Sequence, residues 1–257
     1  MAMIRHAVLL LLPALLVACG TTPAPPTTAA PSPAPRARAA AGVPVVVLDP
    51  GHNGGNAGAA DEIARVVPDG RGGTKPCNTT GTETVTGYAE HAFAFDVARR
   101  VARVLTERGV DVRSTRSDDA GVGPCVDRRA ATANDARAAL TVSIHADSAP
   151  AADDRGFHVA VADPALAPSQ RGPSLDLARA LVAGLEGRGS TPSTYRGEGG
   201  LDPRPDLAGL NLARVPAALV ECANMRNPGE ASVLTDPAGR QRYADGIADG
   251  ILRTLGR

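Results

Sequence analysis

Short apolar runs recur along this chain from residue 43 onward, each followed by a stretch whose apolar positions fall three or four apart. VPVVVLDPGH (43–52) opens the alternation: Val45 to Leu48 read as a fully buried strand, and Asp49, Pro50 and Gly51 as the turn that stops it. In HAFAFDVARRVARVLTERG (91–109), Phe95, Ala98, Ala102 and Leu105 share one helical face and Gly109 ends it. VDVRSTRS (110–117) reads as a strand, DRRAATANDARAA (127–139) as a helix and LTVSIHAD (140–147) as a β-branched strand that would bury comfortably. RGFHVAVAD (155–163) is a strand, SLDLARALVAGLEGRG (174–189) a helix, VPAALVECANM (215–225) a strand and RQRYADGIADGILRTL (240–255) the closing helix. Strands alternating with helices predict an α/β fold: a single domain with a mostly parallel central sheet flanked by helices.

The pattern fails before residue 43. MAMIRHAVLLLLPALLVACG combines a basic Arg5, an apolar stretch from Ala7 to Ala18 too short to span a bilayer, and a small residue before Cys19. Residues 1–18 read as a signal peptide ending in a lipobox, with Cys19 as the acylated first residue of the mature chain. Residues 19–42 are rich in Pro, Thr and Ala without apolar periodicity and read as an extended tether. Residues 43–257 are expected to form the folded domain. The expected location is the cell envelope, with a lipid anchor at the outer face of the cytoplasmic membrane.

Composition narrows the function classes. Among 257 residues, Lys plus Arg and Asp plus Glu both number 27. With no net charge, bulk electrostatics recruits no polyanion, and nucleic acid is not an expected partner.

Chemistry enters at the strand ends. His52, His145 and Glu221 each follow an apolar strand where it gives way to a loop. In open parallel α/β sheets the carboxyl ends of the strands line the ligand crevice, so these side chains would converge. Two imidazoles with carboxylates in one pocket suit zinc, which in catalytic form takes three protein ligands and leaves a position for water. Glu90 and His91 both begin plausible helical faces beside the pocket, and periodicity does not choose between them. His158 alternates with Phe157 and Val159 and reads as structural.

Together VVVLDPGHNGG, a glutamate at a helix start, TVSIHADS and PAALVECANMRNPGEASVL resemble the zinc-dependent N-acetylmuramoyl-L-alanine amidases of bacterial cell-wall metabolism, amidase type 3, over about Val45 to Ile251. In outline the chain is similar to actinobacterial and mycobacterial members. The resemblance implies His52, Glu90 and His145 as zinc ligands and Glu221 as the general base. It implies hydrolysis of the amide between N-acetylmuramic acid and L-alanine, on a peptidoglycan glycopeptide substrate. Thr115-Arg116 and Arg129 through Ala133-Asn134 match further family segments and are expected to pack the fold. Asp49 is expected to shape its turn or support the site, and Gly199, Gly200 and Arg204 to line the crevice. A peptidase cutting within the stem peptide is the alternative reading, and a wall-binding lipoprotein with a degenerate site a third. A monomer is expected. No plug-like regulatory helix is seen between Gly156 and Asp202, so constitutive activity is expected.

Two features depart from the family outline. A Gly- and Pro-bearing insert separates His52 from Glu90, and residues 53–89 are expected to form a hairpin or loop at the pocket rim. Cys222 follows the catalytic glutamate and is expected to be a small buried apolar residue. With Cys19 assigned to the lipobox and Cys222 to a core strand, Cys77 and Cys125 remain, and export predicts that they form a disulfide.

Overall fold

The structure, a computed structural model, describes residues 42–151 and 153–257. The signal peptide, the lipobox and the tether apart from Gly42 lie outside the described residues. The strands are β1 (Val45–Pro50), β2 (Val66–Pro68), β3 (Thr74–Pro76), β4 (Asp111–Ser114), β5 (Leu140–Asp147), β6 (His158–Ala162), β7 (Leu201–Arg204) and β8 (Ala217–Asn224). The helices are α1 (Ala60–Ala64), α2 (Glu90–Glu107), α3 (Val126–Asp135), α4 (Pro168–Gly187), α5 (Ala208–Leu212), α6 (Pro228–Thr235) and α7 (Pro237–Thr254).

Six strands form one sheet in the order β4-β1-β5-β8-β6-β7. β4, β1, β5 and β8 run parallel, whereas β6 is antiparallel to β8 and carries β7 parallel to itself. The predicted mostly parallel α/β sheet is therefore present, with a reversed edge.

One face of the sheet is sealed by α2, α4 and α7. Phe93, Leu105, Leu140, Ile144, Leu181 and Ile247 are fully buried there. On the other face α3 lies against β1, and α5 against β6 and β8. β1 is buried on both sides, because Val46 and Leu48 join the first core while Val47 packs with Ala133 and Val215. β5 is different. Leu140, Val142, Ile144 and Ala146 are buried, but Thr141, Ser143, His145 and Asp147 are only partly so. The period-2 alternation of a strand thus sets an apolar row against the helices and a polar row against a cavity of about 400 Å³ on the opposite face.

Two element readings are corrected. The buried face of α2 runs through Phe93, Ala94, Val97, Ala98, Val101 and Leu105, so Ala98 and Leu105 of the predicted stripe are buried while Phe95 and Ala102 are only partly so. α2 packs on both the sheet and α7, and Phe95 instead lies under the Arg116 guanidinium, 4.7 Å from ring centroid to Cζ. α4 begins at Pro168 rather than Ser174 and continues through Pro173, where Ser174 Oγ donates to the Ser169 carbonyl that the proline cannot serve.

The insert forms an antiparallel β2-β3 hairpin preceded by α1. Its Asp69–Gly73 turn is closed by Asp69 Oδ1, which accepts from the Arg71 and Gly73 amides. Arg71 then donates to the carbonyls of Pro205 and Pro164, both at 2.7 Å, and Asn211 donates to the Asp69 carbonyl. The Cys77–Cys125 disulfide ties its far end to the start of α3.

That disulfide spans a sequence separation of 48 residues. Cross-linking a loop of this length restricts the unfolded chain, so replacing both cysteines by serine should lower the unfolding free energy by about 3 to 4 kcal/mol. Denaturant titration of the two forms measures this; an unchanged midpoint would show that the hairpin is held by its hydrogen bonds alone.

Candidate metal centre and its cavity

The carboxyl ends of β1, β5 and β8 lie side by side, since these strands are adjacent and parallel. The Gly51 amide donates to the Ile144 carbonyl at 2.9 Å, which carries the ladder one residue past β1. His52 is the first residue off the sheet, and it adopts φ +54°. A left-handed conformation costs a non-glycine residue about 1–2 kcal/mol, so the surroundings must hold it. Gly51 is required beside it, because a Cβ there would fall 2.3 Å from the His145 ring.

Glu90 opens α2 and is 4% exposed. Its Oε1 lies 3.1 Å from His52 Nε2 and 2.8 Å from His145 Nδ1. Its Oε2 accepts from the Thr82 amide at 3.0 Å. The imidazoles of His52 and His145 meet edge to face, with centroids 4.9 Å apart. His52 Nδ1 is 3.0 Å from the Thr79 carbonyl, an acceptor only, so that nitrogen carries a proton and leaves Nε2, on the Glu90 side, as the position that could ligate a metal once deprotonated. Three ligand atoms, two imidazole nitrogens and a carboxylate oxygen, lie within 4.8 Å of one another and could hold a metal ion. The donor set suits zinc.

Glu90 and His91, which periodicity left open, are separated by the structure. His91 turns away and places Nδ1 2.9 Å from the Asp119 carboxylate. The charges at the three-residue cluster follow from burial and proximity. Burial alone would raise the Glu90 pKa, but the two imidazoles outweigh it and hold the carboxylate well below its usual range. Burial likewise opposes protonation of His52, and the Glu90 charge overrides it, raising the His52 pKa.

Glu221 stands directly across from His145 in the β5-β8 register and lines the same cavity. Between this pair and the next, Asp147 with Asn224, β8 carries one extra residue, a bulge beside the site. Glu221 Oε2 is buried and has no hydrogen-bond partner among the described residues. Burial, then the charges of Glu90 and Asp147, push its carboxyl well above the ordinary range.

The other expectations sort as follows. Asp49 lines the cavity and braces the site, accepting from Thr115 Oγ1, Ser143 Oγ and Arg129 Nη1 at 2.6, 2.7 and 2.7 Å. Cys222 is buried on the opposite face from Glu221, and burial pushes its thiol up. Gly199, Gly200 and Arg204 do not line the cavity. Gly200 packs on Phe157 and Val182, and Arg204 pairs with Asp202 and Asp206. The cavity wall comes instead from Lys75 to Thr82 of the insert and Leu207 to Leu210 around α5.

Sequence reasoning missed Thr79 and Thr82, which fix His52 and Glu90 from the insert, and Asp147 on the cavity face. Only Asp147 carried a signal, since it lies two residues beyond His145 on one strand. His158 is buried, and the β6-β8 register sets it opposite Glu221, so His145, Glu221 and His158 form one cross-sheet row. Its Nε2 lies 3.7 Å from Asp202 and 4.0 Å from Asp147.

The profile of a family described as N-acetylmuramoyl-L-alanine amidase matches residues 46–253. An N-acetylmuramoyl-L-alanine amidase of Mycobacterium tuberculosis is 45% identical over 207 residues, which cover 80% of this chain and 84% of that protein. The crystal structure of the N-acetylmuramyl-L-alanine amidase Ami1 from Mycobacterium smegmatis superposes with a TM-score of 0.81 at 50% identity, covering 84% of this chain and 98% of that one. The apo form of Ami1 from Mycobacterium abscessus gives a TM-score of 0.80 at 46% identity, covering 84% and 99%.

Proposed function

Because the chain belongs to the N-acetylmuramoyl-L-alanine amidase family, we propose that it hydrolyses the amide between N-acetylmuramic acid and L-alanine in peptidoglycan as a zinc enzyme. The observation that carries this reading is the convergence of His52, Glu90, His145 and Glu221 on one cavity. His52, Glu90 and His145 are the ligands. Zinc held there would polarise the scissile carbonyl and lower the pKa of a water toward about 7.

Glu221 is the proton carrier. It takes the proton of the attacking water and returns it to the amine of the departing L-alanine. An elevated pKa suits both halves of that task, because a strongly acidic carboxyl would accept a proton poorly. Asp49 and the Thr79 carbonyl hold the turn and the His52 ring in place without touching the reacting atoms. Export through residues 1–18, an acyl anchor on Cys19, the tether to residue 42 and a monomeric catalytic domain complete the proposal. Loss of membrane association on Cys19→Ser would support the anchor.

The bond cut is tested by labelling the amino termini released from purified peptidoglycan. L-alanine is expected; another residue would indicate a peptidase acting inside the stem.

The roles are tested as a set by metal content beside turnover. Glu221→Gln should keep its zinc while turnover falls about 100- to 10,000-fold. His52→Ala, Glu90→Ala and His145→Ala should lose metal and activity together, whereas His91→Ala should keep its zinc. Zinc loss in the Glu221 variant would move that residue into the ligand set.

The raised His52 pKa gives a pH dependence of definite sign. The imidazolium persists above its ordinary value of 6.5. Zinc needs the neutral ring, so its affinity should fall as pH drops through the His52 pKa, about tenfold per pH unit for one displaced proton. Chelator competition across the range measures this. A flat affinity would remove His52 from the ligands.

A further inference from the structure

Arg116 and Arg129 are buried, at 6% and 5% exposure, around the β1 turn, Arg129 in the wall of the cavity and Arg116 outside it. Each guanidinium directs all of its N–H donors at protein oxygens. Arg116 donates to the carbonyls of Pro50 at 3.1 Å, Gly51 at 3.1 Å, His91 at 2.8 Å and Asp118 at 2.7 Å, and to the Asp119 carboxylate at 2.8 Å. Arg129 donates to the carbonyls of Pro50 at 2.6 Å, His52 at 2.7 Å, Pro124 at 2.8 Å and Gly123 at 3.1 Å, and to the Asp49 carboxylate at 2.7 Å.

The distribution of these bonds is not that of ordinary packing arginines. Only one bond from each goes to a carboxylate. The rest go to main-chain carbonyls, and those of three consecutive residues, Pro50, Gly51 and His52, are all taken. The fourth carbonyl of interest belongs to His91, directly after Glu90. The two guanidiniums therefore grip the backbone at two of the three points where a proposed ligand leaves it. His52 is also the residue held at φ +54°, a conformation uncommon for any residue but glycine. A planar fork with five fixed donors can impose it, whereas a lysine ammonium, with three rotatable donors, cannot reach the same oxygens together. Two adjacent buried cations repel each other, so the arrangement is costly to the fold alone.

We propose that Arg116 and Arg129 are positioning residues that hold the 50–52 backbone so that His52 is set for zinc before the ion arrives. This rests on the reading of His52 as a zinc ligand. Zinc affinity should then depend on the guanidinium fork more than the stability of the metal-free fold does.

The test compares the full chain with Arg129→Lys, Arg116→Lys, Arg129→Ala and His52→Ala. Zinc affinity is read by chelator competition, folding by thermal melts of the metal-free forms, and ligand geometry by the absorption bands of cobalt substituted at the site. The lysine variants should fold without metal and bind zinc about 10- to 100-fold more weakly, with altered cobalt bands. Arg129→Ala should regain affinity with millimolar methylguanidinium. Unchanged zinc affinity and cobalt bands in folded lysine variants would overturn the proposal, as would unfolding of both lysine variants without metal. If His52→Ala binds zinc as tightly as the parent chain, the ligand assignment itself fails, which is a separate result.

Discussion

A carboxylate buried between two imidazoles is the constraint around which this site is built. Glu90 is 4% exposed, and an unpaired anion at that depth would protonate rather than stay charged. It is stabilised by His52 and His145, by the Thr82 amide and by its place at the start of α2, where the helix dipole favours negative charge. Each partner arrives from a different part of the chain: the β1 turn, β5, the insert and α2. Satisfying one carboxylate therefore fixes the relative positions of four segments, and the parallel order β1-β5-β8 makes that possible by ending the strands on one edge.

Much of this was legible in the sequence because it depends on local rules. A strand that runs apolar and stops at Asp-Pro-Gly has to deliver its next side chain at a sheet end, which located His52. The same reasoning located His145 and Glu221, and the α/β alternation supplied their convergence. The choice of Glu90 over His91 was not local. The two are consecutive on one helix, and what separates them is Asp119, which binds His91 from a loop 28 residues away in sequence. The stripe assigned to α2 held at Ala98 and Leu105 but not at Phe95 and Ala102, because a helix covered by both a sheet and α7 buries a broader arc than one apolar row reveals.

The insert shows where local reading ends. Its glycines and prolines predicted a loop or hairpin, and its cysteines a cross-link. Nothing in its composition indicated that Thr79 would hold a histidine ring or that Lys75 to Thr82 would wall the cavity. Those roles follow from how the hairpin docks, through Arg71 and Asn211, onto segments more than 90 residues further along the chain. Gly199, Gly200 and Arg204 were misplaced by the same ignorance of docking, since the wall they were expected to form is supplied by the hairpin and α5.

The two glutamates of the cavity are pushed in opposite directions by their neighbours, and this separates their roles more firmly than their positions do. Glu90 sits between imidazoles and stays ionised, which the role proposed for it as a ligand requires. Glu221 is buried with the carboxylates Glu90 and Asp147 acting on it, the opposing effect of Arg204 and Arg196 is too small to compensate, and its buried Oε2 has no partner among the described residues. A group so placed holds a proton readily and lets it go only when positive charge enters the cavity. The ionised Glu90 and the proton-holding Glu221 are thus products of one arrangement, because the negative charge that the imidazoles retain on Glu90 is part of what raises Glu221.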